Sequence, residues 1–61
     1  MPNANVCATG ANLYPNNKML KPIQVLTPGT AVITRGPWHP GVHVPVELTN
    51  PRGFVYGDLI D

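Results

Sequence analysis

Val42-His43-Val44-Pro45-Val46-Glu47-Leu48 is the most strongly patterned stretch of the chain, with Val42, Val44, Val46 and Leu48 on one face and His43, Pro45 and Glu47 on the other. Strict alternation is the signature of a half-buried β-strand. Pro45 has no N–H to give to a ladder, so either its empty position faces solvent or the strand lies at an edge or bulge there. Downstream, Thr49-Asn50-Pro51-Arg52-Gly53 is a compact turn feeding a further strand, Phe54-Val55-Tyr56. Phe54 and Tyr56 share one face of that strand, and Val55 takes the other.

Upstream of the central stretch, Gly36-Pro37-Trp38-His39-Pro40-Gly41 reads as a loop rich in chain punctuators. Ala31-Val32-Ile33-Thr34-Arg35 precedes it as a strand. Thr27-Pro28-Gly29-Thr30 places Pro at the second and Gly at the third position of a turn, as type II geometry needs. Ile23-Gln24-Val25-Leu26 is a short strand before that turn, so the strands are expected to follow one another by hairpins. Asn5-Val6-Cys7-Ala8 is a further strand at the front, followed by an irregular stretch from Thr9 to Lys21. Prolines at 15, 22, 28, 37, 40, 45 and 51 interrupt every window long enough for a helix, which limits helix to one short turn. Short strands with turn signals about every 8 to 12 residues point to a small all-β barrel or sandwich. A chain of 61 residues has room for a single domain, 1–61, and a five-stranded barrel.

Composition narrows the functional classes. Charged residues are 11% of the chain, and the formal net charge is +1, so no basic stripe is present to hold a nucleic acid. No apolar run approaches the roughly 20 residues that span a bilayer. The N-terminal residues lack the basic and apolar regions of a secretory signal, which implies a cytoplasmic or virion-associated product. The single Cys7 has no partner for a disulfide.

Three motifs occur in order along nearly the whole chain: Asn5-Val6 followed by Gly10-Ala11, then Val25-Leu26-Thr27-Pro28-Gly29-Thr30, then Gly53-Phe54-Val55-Tyr56-Gly57-Asp58-Leu59-Ile60. This sequence of motifs resembles the bacterial SH3 (SH3b) family, with its Asn-Val-Arg-x-Gly-Pro start, hydrophobic-Leu-x-x-Gly-Thr turn and Gly-Trp-Val-x-x-x-Tyr-Leu ending. Cys7 stands where that family has Arg, and Phe54 where it has Trp. The resemblance implies a five-stranded SH3-like barrel and a binding role without chemistry. It also implies a groove flanked by two loops, lined here by Tyr14 from the Thr9 to Lys21 stretch and Trp38 from the Gly36 to Gly41 loop.

The residues themselves offer little catalysis. Cys7 reads as a small packed hydrophobe. His39 and His43 are four apart, but Pro40 and Gly41 forbid the helix that would align them on a metal. Asp58 is expected to accept from backbone N–H groups of its turn, and Glu47 to be solvated or paired across strands. No catalytic residue, metal or cofactor is expected. Aromatic side chains dominate interface energetics, which makes Tyr14, Trp38 and Tyr56, with His39 beside Trp38, the candidate binding residues. Alternatively, Trp38 caps an open end of the barrel and Tyr14 packs beneath its own loop. Two functions follow as expectations. The first is a small accessory or structural subunit docked on a larger protein assembly, for example a phage virion. The second is a module that binds cell-wall peptidoglycan or peptides.

Overall fold

The structure, a computed structural model, describes residues 1–61. Six strands form, β1 (Ala4–Asn5), β2 (Ala11–Leu13), β3 (Gln24–Leu26), β4 (Ala31–Thr34), β5 (Pro45–Asn50) and β6 (Arg52–Tyr56), followed by one 3-10 turn at Gly57–Leu59. The all-β reading and the limit of one short helical turn both hold. All pairings are antiparallel, in a four-stranded sheet of order β1-β4-β5-β6 and a two-stranded sheet of β2 and β3. The strands therefore number six in two sheets, where the sequence reading expects five in one closed barrel. The extra strand is β2, which lies inside the stretch read as irregular and pairs with β3.

Two bridges link the sheets and ends. Tyr14 and Phe54 exchange both backbone bonds at 2.8 Å, which joins β2 to β6. Val6 bridges Ile60, and Asn5 and Asp61 exchange bonds at 3.0 and 2.8 Å, which returns the C-terminus to β1.

The Thr27–Thr30 turn forms as expected, with Gly29 at φ 83° and Thr30 N–H donating to the Thr27 carbonyl at 3.2 Å. It does not make a hairpin of β3 and β4. Its outer groups are taken by Val6, which accepts from Gly29 N–H and donates to the Thr30 carbonyl, each at 2.9 Å. This wedge diverts β4 to pair with β1, and β3 stays in the other sheet.

The strand expected from Val42 begins at Pro45 instead. Val44 N–H donates back to the Val42 carbonyl at 2.9 Å, a three-residue turn of the kind common at strand ends. The turn leaves Val42 and Val44 39% and 46% exposed, off the core face that Val46 and Leu48 keep. Pro45 opens β5 beyond the reach of β4, whose pairs are with Leu48 and Asn50, so its missing N–H breaks no ladder bond.

The core is a cluster of ten apolar side chains, in which Leu13, Val32, Leu48, Val55 and Ile60 are the largest fully buried. They come from both sheets and the C-terminus, so neither sheet has a core of its own. The buried Thr34 is satisfied by Asn3, whose amide donates to its hydroxyl at 2.7 Å and accepts its backbone N–H at 2.9 Å.

Candidate aromatic binding site

Alternation along β6 sends Val55 into the core and leaves Phe54 and Tyr56 half-buried on the outer face. The bridge to Phe54 brings Tyr14 beside them. Tyr14 and Tyr56 meet edge to face, with centroids 6.1 Å apart and planes at 78°. That is a favoured arrangement for ring quadrupoles. The other contact of Tyr56 is the His43 imidazole, stacked at 4.2 Å with planes 4° apart. His43 Nδ1 lies 2.9 Å from Asp58 Oδ2. Asp58 thus takes the ring of His43 as its partner, in place of the backbone N–H groups expected from its position.

A groove of about 260 Å³ opens next to this cluster, under the 35–44 loop. Pro37, Trp38 and His39 of the loop line it together with Pro45 and Glu47 of β5. Trp38 is half-buried and packs against the core cluster, so it caps the core and lines the groove at once. Glu47 pairs with Arg35 at 3.4 Å across β4 and β5, as expected for a cross-strand partner. Pro45 stands opposite Tyr56 in the β5–β6 ladder. Directly opposed residues share a face with Cβ atoms about 5 Å apart, so the groove and the aromatic cluster form one continuous surface.

Of the four candidate binding residues, Tyr14 and Tyr56 touch, Trp38 and His39 share the groove, and the Pro45–Tyr56 rung connects the two pairs. The sequence reading misses His43, Asp58 and Pro45 as parts of this surface. No local pattern signals them, because His43 meets its partners only when the 35–44 loop folds back onto the 3-10 turn. The backbone bond from Gly57 N–H to the Val44 carbonyl, 2.8 Å, fixes that return.

The His43–Asp58 pair has the form of a base and its orienting carboxylate, but the one thiol of the chain is turned elsewhere. Cys7 Sγ lies 3.5 Å from Asp61 Oδ1 and 3.9 Å from the Asp58 carbonyl. Desolvation, then the hydrogen bond and charge of Asp61, then the charge of Asp58 push the thiol up from its ordinary value. The thiolate is the reactive form, so this setting lowers the reactivity of Cys7. Titration of the folded chain with an aromatic disulfide should show the reaction rate rising only above the usual thiol range. Asp61→Asn should move that rise to lower pH, and an identical profile for the two proteins would contradict the assignment.

No match to the chain is found among protein-family models, curated proteins or solved structures.

Proposed function

We propose that the chain is a non-catalytic interaction module, a small accessory or structural subunit that docks on a larger protein assembly such as a phage particle. The observation that carries this reading is the continuous outer surface of Tyr14, Tyr56, Pro45 and Trp38. Its aromatic side chains are half-exposed, Tyr56 on the β5–β6 ladder, Tyr14 on the bridge to Phe54 and Trp38 on the loop before β5. Large aromatic side chains of this kind supply most of the energy at protein interfaces at low entropic cost. Polar groups on this surface already have partners within the chain, Arg35 with Glu47 at 3.4 Å and His43 with Asp58 at 2.9 Å. Covering it with a partner therefore leaves these groups hydrogen-bonded, where an unpaired buried polar group would be costly.

In this reading the fold is an SH3-like barrel. Its five strands are β1, β4, β5, β6 and the C-terminal Ile60–Asp61 segment bonded to β1, with β2 and β3 as the arms of a long first loop. The order of strands, the 3-10 turn after β6 and the motif resemblance support this assignment. A peptide-binding role in the bacterial cell wall would use the same surface.

The test is whether the chain, at its natural expression level, sediments free or within a larger particle, and whether Trp38→Ala releases it. A central aromatic contact is worth about 2 kcal/mol or more, so the variant should bind at least roughly 30-fold more weakly. Retention on purified cell walls, lost in Trp38→Ala, would favour the cell-wall reading instead. Unchanged association of a folded Trp38→Ala chain would refute this surface as the binding site.

A further inference from the structure

The hairpin of β2 and β3 presents a second surface that the aromatic site does not use. Both backbone groups of Tyr14 bond Phe54, so alternation along β2 turns Leu13 toward β3, where its carbonyl accepts Ile23 N–H at 2.8 Å. Asn12 then points away from β3, and Val25, its partner in register, points away from β2. β3 has no other neighbour in either sheet, so the N–H and C=O of Val25 form an open edge. The side chains along this edge are apolar and exposed, Ile23 at 61% and Val25 at 67%. Beyond its N-terminal end, Met19 is buried with φ 56°, and the next residue, Leu20, is turned outward at 81% exposure.

An open edge with β-branched side chains is a template for another strand. Pro22 and Pro28 bracket it, which restricts pairing to one short register and prevents stacking of many copies. Charge indicates what fits. Lys18 and Lys21 lie in the segment leading into the edge, form no ion pair, and belong to a stretch, residues 1–46, without a single Asp or Glu. The hairpin is therefore a cationic and apolar edge, with two lysines and no carboxylate of its own. The corresponding edge of a second copy would oppose lysine to lysine.

We propose that β3 docks an extended acidic segment of a protein partner, which adds as a strand beside Val25, lays apolar side chains on Ile23 and Val25, and directs carboxylates to Lys18 and Lys21. This surface is separate from the Trp38 groove, so the module can hold two partner segments at once.

The test uses a capped peptide of sequence Glu-Val-Thr-Val-Glu-Thr, titrated into the isotope-labelled full chain at low salt, with a Lys-for-Glu peptide as its control. The expected result is amide shifts confined to 20–26, slowed exchange of the Val25 N–H, and binding weaker by roughly tenfold for the Lys peptide. Lys18→Glu combined with Lys21→Glu should weaken binding of the acidic peptide by a similar factor, since two exposed charge pairs are lost. Val25→Pro deletes the outward N–H together with the valine side chain and should remove most of the affinity; if that variant does not fold, the lysine variants decide alone. Trp38→Ala should leave peptide binding unchanged, which separates this proposal from the groove. Equal binding of both peptides, shifts confined to Trp38 and Tyr56, absence of shifts, or self-association through β3 would each overturn it.

Discussion

Gly53→Ala is expected to leave the isolated chain largely unfolded at room temperature. Gly53 sits at φ 151°, and a Cβ there would lie 2.7 Å from Leu13 Cδ1, 2.8 Å from the Tyr14 carbonyl oxygen and 2.9 Å from Leu13 Cγ. None of these atoms can give way cheaply. The Tyr14 carbonyl accepts the Phe54 N–H in the bridge that joins the two sheets, and Leu13 is 1% exposed in the centre of the core. A left-handed conformation costs a non-glycine residue about 1–2 kcal/mol, and forcing a methyl group into a packed core about 1–3 kcal/mol more. A 61-residue domain without disulfide or metal has about 3–5 kcal/mol to lose. Gly36→Ala is the control, because Gly36 also has a positive φ, 85°, but nothing lies within 4 Å of its Cβ position. It should cost only the conformational part, about 1–2 kcal/mol. Urea unfolding followed by Trp38 fluorescence separates the two. Equal losses would mean that conformation, and not the junction of the sheets, makes Gly53 necessary.

The contrast between these glycines mirrors what was legible in the sequence. Local chemistry was readable: the Thr27–Thr30 turn, the Val46 and Leu48 core face and the limit of one helical turn depend on neighbours a few residues away, although the turn expected over Thr49–Gly53 tightens to Asn50–Pro51, with Thr49 and Arg52 already paired in the ladder. The pairing of Val6 with Gly29 and Thr30 was not readable, because it joins residues more than 20 apart through backbone groups that every residue possesses. That one insertion separates β3 from β4 and so decides the sheet order. The same limit applies to the site. Tyr14, Trp38 and Tyr56 could be singled out by residue type, whereas His43 was considered only as a metal ligand with His39, set aside because Pro40 and Gly41 forbid the aligning helix, and got no other role. Its actual partners, Tyr56 and Asp58, lie 13 and 15 positions away and reach it only through the fold. The alternation from Val42 to Leu48 misled for a related reason. Val42 and Val44 have the right spacing for the core, but their carbonyls face Gly57, and the turn at His43 removes them from the strand.

That crowding makes Gly57 the position where fold and binding surface can be separated. Its backbone is in an ordinary conformation, so alanine there costs nothing locally, yet a Cβ would stand 2.7 Å from the Val42 carbonyl oxygen and 3.1 Å from Val46 Cγ2. The side that yields is the 42–44 segment, which is exposed and outside the ladder, whereas Val46 is fixed by its register with Val55. Gly57→Ala should therefore push the loop outward, lengthen the bond from Gly57 N–H to the Val44 carbonyl, and pull His43 off Tyr56 and Asp58. The stability cost is about 1–3 kcal/mol, the range for added bulk at a packed contact. The consequence for the surface is larger, since Trp38 and His39 ride on the same loop. Binding through the groove should fall at least roughly tenfold even under conditions where the variant remains folded. Three readouts should move together: the ring-current shift of the His43 protons over Tyr56, the emission maximum of Trp38, and affinity for the partner. If the His43 signal moves while Trp38 emission and affinity stay constant, the two halves of the surface are mechanically independent, and the groove is formed by the core cap at Trp38 alone.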